Sequence, residues 1–353
     1  MQIFFASDGM ALLAVVSASL VFSFASTPYI RSFSCRLGVM DVPCDARRMH
    51  KKAVPLAGGA AMMISFLLTV TVFFSMNGAR LSLQTIFFLF ACALCAACGF
   101  VDDIFAVKPL SKLAFQFILA FFSSVFVCRM ESFSIFGKVF SLGSLSVPAT
   151  IFWIMLIMNA VNLIDGMDGL ASGICAVIAF AISMISFLRG ELSFAICACA
   201  VCGACLGFLC HNATPASVFM GETGSAFLGL ALSVMILPCY DTNSEEPLST
   251  ALLLFFLPIA ETVSSFFRRL LHGKSPFSPD KKHMHHLLYE KGLSVTAVCL
   301  ILYLFTAVCA LCAVIHGQFH AFAAVSFVAV IAFMRIMLLH KRQKINKKQG
   351  GPL

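Results

Sequence analysis

The sequence predicts an all-α polytopic integral membrane protein with about eleven transmembrane helices. Of its 353 residues, 60% are hydrophobic and 11% are charged, whereas soluble domains average about 25% charged residues. The apolar runs are continuous over lengths that cross a bilayer. They lack the alternation of apolar and polar residues that is typical of transmembrane β-barrels. Composition and run length therefore exclude a soluble domain and a barrel.

The individual spans follow from a length of about 20 apolar residues per helix. They cover residues 9–30, 58–76, 83–101, 112–130, 147–161, 169–188, 193–211, 224–240, 250–267, 293–315 and 319–339. The first run lacks a basic N-terminal region and is followed by Arg31 and Arg36. It is therefore predicted to be a retained helix and not a signal peptide. The longer segment Glu131–Val147 is predicted to form a β-hairpin.

The distribution of basic residues predicts the orientation of these spans. If the N-terminus lies outside, all but four of the 24 Lys and Arg residues fall in cytoplasmic loops and the C-terminal tail. The exceptions are Arg80, Arg129, Lys138 and Arg189. We therefore expect a single transmembrane domain over residues 1–340 and a basic cytoplasmic tail over residues 341–353. No nucleic-acid partner is expected.

Cysteine is abundant, with 16 residues. Two sets recur at three-residue spacing inside apolar helices: Cys92, Cys95, Cys98, Cys199, Cys202 and Cys205. The C-x-x-C spacing occurs in redox and zinc sites, but His and carboxylate neighbours are missing here. Cysteine is also a small residue that is often buried, so a role in helix packing is predicted.

Acidic residues end or precede several apolar runs on the predicted cytoplasmic side. Asp102 and Asp103 follow one run, Asp165 and Asp168 follow a second, and Glu222 precedes a third. Acids near bilayer depth are costly and tend to face protein or a water-filled cavity. Two neighbouring carboxylates repel each other unless a cation or a proton intervenes, and Mg²⁺ commonly takes one or two carboxylates. These residues indicate a polar reaction site at the membrane surface.

Each acidic motif also has a structural alternative. Asp102 and Asp103 could be a solvated helix end, paired to Lys108 or Lys112. Asn162 and Asp165 share a helical face with Asp168 by their three-residue spacing, but Asp168 could instead be the N-cap of the next helix.

The turn from Gly221 to Ser225 opens a predicted helix. Its glycines allow close approach of the backbone, and the first amides of that helix could hold a phosphate. The alternative is an ordinary capped turn.

Basic and histidine-rich segments lie on the same predicted side of the membrane. The first inner loop, Asp41–Gly59, carries Arg48, His50 and Lys52, which suit phosphate oxygens or anionic lipid headgroups. The segment Pro279–His286 holds three histidines, which could bind a metal or donate hydrogen bonds to a nucleotide sugar. Glu261 could form a structural ion pair with Arg268 or Arg269.

In their order and intervals, these five motifs resemble those of the polyprenyl-phosphate N-acetylhexosamine-1-phosphate transferases, a family of glycosyltransferase 4 type. The resemblance covers nearly the whole chain. The Pro279–His286 run looks like the corresponding segment of the WecA/TagO branch. The related MraY enzymes have a different histidine-rich stretch at this position.

The resemblance implies an eleven-helix fold with a cytoplasmic active site in the bacterial inner membrane. It implies a requirement for Mg²⁺ or Mn²⁺ and a homodimer. The implied reaction transfers N-acetylglucosamine-1-phosphate, or a similar N-acetylhexosamine-1-phosphate, from a UDP-sugar to undecaprenyl phosphate in membrane lipid. This reaction releases UMP and initiates a cell-envelope glycan.

The resemblance also implies roles for individual residues. The catalytic carboxylates are Asp102, Asp103, Asp165 and Asp168. The substrate-binding residues are Arg48, His50, Lys52, Asn162, His283, His285 and His286. The metal ligands are Asp103, Asn162 and Glu222.

The sequence departs from the family pattern at Glu222, where the family usually has Asp within Gly-Asp-x-Gly-Ser. The extra methylene moves the carboxylate by roughly an ångström, and Mg²⁺ demands near-octahedral ligands at about 2.0–2.1 Å. The change implies a compensating loop, Mn²⁺, a water-bridged geometry or impaired activity. Arg47-Arg48 replaces the commoner Arg-Lys and keeps the charge.

Three other functions remain open at this point. A secondary transporter also places carboxylates in helices, but near the bilayer midplane and often within internal repeats, and no repeat is visible here. An MraY-like phospho-MurNAc-pentapeptide transferase is the second alternative, although MraY has a different histidine-rich stretch. An inactive scaffold descended from the family would account for Glu222.

Overall fold

The structure is a computed structural model. It describes residues 2–42, 53–78, 81–135, 138–239, 247–271, 273 and 283–315. The predicted substrate-binding residues Arg48, His50 and Lys52 lie outside the described residues, as do the predicted span 319–339 and the predicted tail 341–353.

The described residues form twelve α-helices and four short strands. The helices are α1 (Gln2–Leu37), α2 (Gly58–Met76), α3 (Leu83–Phe105), α4 (Pro109–Phe126), α5 (Ser146–Ile164), α6 (Leu170–Leu188), α7 (Leu192–Asn212), α8 (Gly221–Met235), α9 (Pro247–Leu254), α10 (Phe256–Leu271), α11 (Met284–Glu290) and α12 (Val295–Ile315). The strands are β1 (Met40–Asp41), β2 (Val54–Pro55), β3 (Ser132–Ile135) and β4 (Lys138–Ser141). Eight helical segments of the described chain are long and apolar enough to cross a membrane. They confirm the predicted class of all-α polytopic membrane protein.

Two of the predicted spans differ from the helices in the structure. The span predicted over 224–240 is the 15-residue helix α8, followed by a 3-10 turn at Leu237–Cys239. The span predicted over 250–267 is divided at Phe255 into α9 and α10. The division places Pro258 in the first turn of α10, where its missing N–H has no intrahelical partner to lose.

The predicted hairpin within Glu131–Val147 is confirmed. Strands β3 and β4 pair antiparallel, with Phe133 opposite Phe140. The two rings stack with their centroids 5.4 Å apart, which is a favourable cross-strand pair.

Small residues let α7 pack closely against α1. A Cβ atom at Gly203 would overlap the carbonyl oxygen of Val16, and one at Gly207 would overlap that of Leu20. On the α1 side, the hydroxyl of Ser19 donates to the carbonyl oxygen of Ala200 at 2.6 Å. Such contacts between small residues drive helix association where lipid removes the hydrophobic driving force.

The cysteines predicted to serve packing lie in this tightly packed region and in α3. All described cysteines are free thiols. Cys92 and Cys95 of α3, and Cys199, Cys202 and Cys205 of α7, are buried within helix contacts.

Glycines also bring the start of α8 against α2 and α3. A Cβ atom at Gly59 would overlap the backbone nitrogen of Gly224, and one at Gly99 would lie 2.6 Å from the carbonyl oxygen of Glu222. The close crossing therefore places Glu222 beside the end of α3, which carries Asp102 and Asp103.

The two ends of the first predicted inner loop also meet beside the start of α8. Strands β1 and β2 pair antiparallel, and the carbonyl oxygen of Pro55 accepts from the amide of Phe219 at 2.9 Å. The amides of Gly58 and Gly59 donate to the carbonyl oxygens of Phe219 and Met220, both at 2.9 Å. The residues that flank the basic loop are therefore bound to the segment that leads into α8.

We expect Gly203→Ala to destabilise the protein although alanine favours helices. The new Cβ atom meets backbone atoms of α1, which cannot rotate away, so the helices must separate at a cost of about 1–3 kcal/mol. Gly9→Ala is the matched control, because a Cβ atom there meets nothing within 4 Å. Thermal unfolding in detergent should show a lower Tm for Gly203→Ala only. Equal Tm values for the two variants would contradict the packing argument.

Candidate active site

Asp102 is held at the end of α3 by two groups of the following segment. The residue is buried. Its Oδ1 atom accepts from the amide of Val107 at 2.7 Å, and its Oδ2 atom pairs with Lys112 Nζ at 2.5 Å. The structural alternative of an ion pair with Lys112 is therefore present. This ion pair holds Asp102 at the edge of an acidic cluster that includes Asp103 and Glu222.

Asp103 points toward a different element, the first turn of α8. Its Oδ1 atom accepts from the amide of Glu222 at 2.8 Å, and its Oδ2 atom accepts from the amide and the hydroxyl of Thr223 at 3.1 Å and 2.6 Å. A carboxylate at this position satisfies free amides and complements the helix dipole. The amides predicted to hold a phosphate are thus bound to Asp103.

Gly221 makes the approach of Asp103 to α8 feasible. Its φ is +69°, and a Cβ atom there would lie 2.5 Å from Asp103 Oδ2. Both the conformation and the close contact require glycine at this position.

Glu222 joins Asp103, Asp102 and Asn162 into one cluster. Its Oε1 atom lies 3.0 Å from Lys112 Nζ, and its Oε2 atom accepts from Asn162 Nδ2 at 2.8 Å. Lys112 therefore bridges the carboxylates of Asp102 and Glu222. The three predicted metal ligands, Asp103, Asn162 and Glu222, meet here from α3, α5 and α8.

Asp165 faces the same cluster from the end of α5. Burial of its carboxyl group raises the pKa to about 7, and the negative charges of Glu222, Asp103 and Asp168 add to this effect. Among the described residues, no basic side chain forms an ion pair with Asp165. The acidic residues predicted to converge therefore do so, and they repel one another.

Asp168 binds the segment between α7 and α8. Its Oδ2 atom accepts from the amide of Ala216 at 3.0 Å and from the hydroxyl of Thr214 at 3.4 Å. The alternative that Asp168 caps α6 is wrong, because Gly169 is the N-cap residue and has no capping side chain.

The buried amide group of Asn212 performs the capping role instead. Its Oδ1 atom accepts from the amide of Gly169 at 3.1 Å and from the hydroxyl of Ser172 at 3.0 Å.

The predicted histidines form a second cluster on α11. His283 Nδ1 lies 3.2 Å from Glu261 Oε2, and the rings of His285 and His286 lie 4.3 Å apart between centroids. His285 is buried over Gly166, where a Cβ atom would lie 2.8 Å from its Nε2 atom. Burial, together with the two neighbouring imidazoles, lowers the pKa of His285. The cluster therefore presents a neutral imidazole beside Gly166, the residue that follows Asp165.

Within the described ranges, no group of three His, Cys, Asp or Glu side chains is arranged to hold a metal ion. The proposal that the three histidines bind a metal therefore gains no support from the structure. Glu261 contacts His283 and the amide of Met284, so an ion pair with Arg268 or Arg269 does not explain its burial.

Sequence reasoning missed Lys112 and Thr223 as site residues. The only signal for Lys112 was its position shortly after Asp102 and Asp103. Lys108 has the same signal, so the sequence could not distinguish the two lysines. Thr223 had no signal beyond its place in the Gly221–Ser225 turn.

Comparisons with known proteins agree with this arrangement. The model of glycosyl transferase family 4 matches residues 85–239, the range that contributes α3, α4, α5 and α8 to the cluster. An undecaprenyl-phosphate alpha-N-acetylglucosaminyl 1-phosphate transferase from Thermotoga maritima is 34% identical over 77% of this chain and 80% of its own length. A decaprenyl-phosphate N-acetylglucosaminephosphotransferase from Mycobacterium tuberculosis is 31% identical over 84% of this chain and 80% of its own length.

A further relative, the undecaprenyl-phosphate alpha-N-acetylglucosaminyl 1-phosphate transferase of Escherichia coli K12, is 30% identical over 80% of this chain and 78% of its own length. These matches confirm the resemblance drawn from the motifs. The chain belongs to glycosyl transferase family 4, in its WecA/TagO-like branch within the MraY family.

Proposed function

We propose that this protein transfers N-acetylglucosamine-1-phosphate from UDP-N-acetylglucosamine to undecaprenyl phosphate. The products are undecaprenyl-diphospho-N-acetylglucosamine and UMP, and the reaction starts a cell-envelope glycan. The convergence of Asp102, Asp103, Asn162, Lys112 and Glu222 carries the proposal. Two relatives that cover most of the chain are named as undecaprenyl-phosphate alpha-N-acetylglucosaminyl 1-phosphate transferases, and a third is named as a decaprenyl-phosphate N-acetylglucosaminephosphotransferase.

We infer that the active site faces the cytoplasm of a bacterial inner membrane crossed by eleven helices. The asymmetry of the basic residues supports this orientation, as does the binding of the first loop's flanks to the segment before α8. The homodimer that the resemblance implies stays a prediction.

The residues of the acidic cluster have the donor chemistry for Mg²⁺ or Mn²⁺, although within the described residues they are not arranged as a preformed metal site. Carboxylate and amide oxygens are the ligands that hard cations prefer. Burial and, after it, the negative charges of Glu222, Asp103 and Asp168 raise the pKa of Asp165, and a divalent cation would offset those charges. Asp103, Asn162 and Glu222 would hold the ion, which when bound polarises the diphosphate and stabilises the leaving phosphate.

The protein's own residues orient and activate the substrates. Asp102 activates the phosphate of the lipid for attack on the β-phosphorus of the UDP-sugar, or attacks that phosphorus itself. In the net reaction, a lipid phosphate oxygen bonds to the β-phosphorus, the bond from the β-phosphorus to the bridging oxygen breaks, and UMP leaves with that oxygen. Asp165 and Asp168 orient the uridine or the sugar.

Basic and hydrogen-bonding side chains would meet the charge of the substrate phosphates. Lys112 lies between two carboxylates and can turn toward a substrate phosphate without leaving the site. The other proposed phosphate-binding residues are Arg48, His50, Lys52, His283, His285 and His286.

Asp102→Asn should lower turnover by about 10²–10⁴-fold, because an amide can neither accept a proton nor attack phosphorus. The measurement is UMP release and label transfer from radiolabelled UDP-N-acetylglucosamine into undecaprenyl phosphate. Glu131→Gln, which alters an exposed ion pair on the β-hairpin, is the matched control. Wild-type turnover in Asp102→Asn would remove Asp102 from the mechanism, and label that crosses a vesicle membrane without entering lipid would favour a transporter.

Asp165→Asn should raise the Tm of metal-free protein at pH 8 by roughly 2–4 °C and change it little at pH 4. The folded-state pKa of about 7 lies above the ordinary 3.8. The stability linked to protonation is therefore complete at low pH and is lost as pH rises through 7.

Added Mg²⁺ should raise the Tm of the wild type at pH 8 more than that of Asp165→Asn, because the cation relieves the same repulsion. A variant less stable than the wild type at pH 8 would refute this account of the acidic cluster.

Glu222→Asp should lower activity by about tenfold, because the shorter side chain cannot reach both Lys112 and Asn162 from a fixed backbone. Glu222→Gln is the control that keeps the length and removes the charge. Initial rates should be compared with Mg²⁺ and with Mn²⁺. A sharp rise in activity for Glu222→Asp would instead mean that glutamate disables the site, as the scaffold hypothesis requires.

A further inference from the structure

Glu261 is a buried carboxylate outside the acidic cluster, in the helix α10. Only 2% of the residue is exposed. Burial of a carboxylate is costly unless hydrogen bonds compensate for the lost water. Both of its oxygens are used, since Oε1 accepts from the amide of Met284 at 2.6 Å and Oε2 contacts His283 Nδ1 at 3.2 Å.

These two bonds tie the first residue of α11, and the residue before it, to α10. The helix α11 has seven residues, and helices this short are not stable by themselves. A negative charge at the first amide also complements the dipole of α11. The orientation of α11 therefore depends on the carboxylate of Glu261.

His285 lies on the part of α11 that Glu261 fixes. It is 2% exposed, and within the described part of the chain its Nε2 atom has no hydrogen-bond partner. That atom lies against Gly166, where a Cβ atom would be 2.8 Å away. A buried polar atom without a partner is costly, and here it lies against the residue that follows Asp165 in the chain.

We propose that Glu261 is a positioning residue for the transfer reaction. Through His283 and Met284 it holds α11 so that the Nε2 atom of His285 faces Gly166 and bonds to the nucleotide sugar. This inference rests on the proposed function. The ring of His283 is parallel to that of His285 within 5°, with their centroids 5.6 Å apart, so the two imidazoles lie side by side on the segment that Glu261 fixes.

Glu261→Gln tests this role, because it removes the buried negative charge that accepts from the amide of Met284 and contacts His283 Nδ1. Hydrogen exchange at the amides of α11 should accelerate about tenfold or more in ligand-free protein. The Kd and KM for UDP-N-acetylglucosamine should each rise about tenfold, while the KM for undecaprenyl phosphate stays within about twofold. Glu261→Asp keeps the charge and should restore part of the affinity.

Thr262→Val is the matched control, since it removes a hydroxyl of the next residue in α10 that bonds only within its own helix, to the carbonyl oxygen of Pro258. It should leave exchange in α11 and all kinetic constants unchanged.

The combination of Glu261→Gln with His285→Ala isolates the positioning effect. If Glu261 acts through His285, the double variant should bind UDP-N-acetylglucosamine no more weakly than His285→Ala alone. Multiplicative losses of affinity, or unchanged exchange in α11, would overturn the inference. If the wild-type protein binds this nucleotide sugar but releases no UMP, the proposed reaction alone is refuted. The hydrogen-exchange and binding measurements would still test the role of Glu261.

Discussion

The bond between the carboxylate of Asp103 and the first turn of α8 is the interaction on which the candidate site depends. It joins the end of α3 to the start of α8 across 119 residues of sequence. The oxygens of Asp103 satisfy two of the amides that every helix start leaves free, and Gly221 gives them room. Without this carboxylate, those partly buried amides would lack partners at a cost of about 1–3 kcal/mol each. Because the backbone at the start of α8 is fixed, the side chain of Glu222 is directed toward Lys112 and Asn162.

The electrostatics of the cluster follow from this fixed backbone. Burial raises the pKa of Asp165 to about 7, and the negative charges of Glu222, Asp103 and Asp168 add to this effect. Lys112 contributes a positive charge at one edge. Such a site favours any ligand that brings positive charge. A diphosphate alone would be repelled, whereas a diphosphate with a divalent cation would be attracted, so the charge distribution couples the binding of the two.

The sequence predicted the features that depend on local composition. The length of an apolar run sets the length of a spanning helix, so residues 58–76 were predicted with the bounds of α2. The acids at the ends of the runs were predicted to meet because each is costly in lipid unless it faces protein or water. The break at Phe255 also had a local signal in Pro258, although a single long span was predicted.

The partner of each polar group could not be predicted, because partners are distant in sequence. Asp168 has the spacing of an N-cap, yet it binds Ala216, 48 residues away. The first amides of α8 have the chemistry of a phosphate site, yet Asp103 occupies them. In both cases the sequence identifies a carboxylate and a helix end that needs a partner. Which carboxylate binds which helix end depends on tertiary contacts between segments that are distant in sequence.

The glutamate at position 222 is best understood from the distances around it. Its carboxylate spans from Lys112 on α4 to Asn162 on α5, with contacts of 3.0 Å and 2.8 Å. The backbone of α8 cannot move to serve a shorter residue, since Asp103 binds its first amides and Gly59 abuts Gly224. In this chain the additional methylene therefore completes a network that an aspartate would leave open. We therefore propose that the position of Lys112 compensates for the departure from the family pattern and that the site is intact.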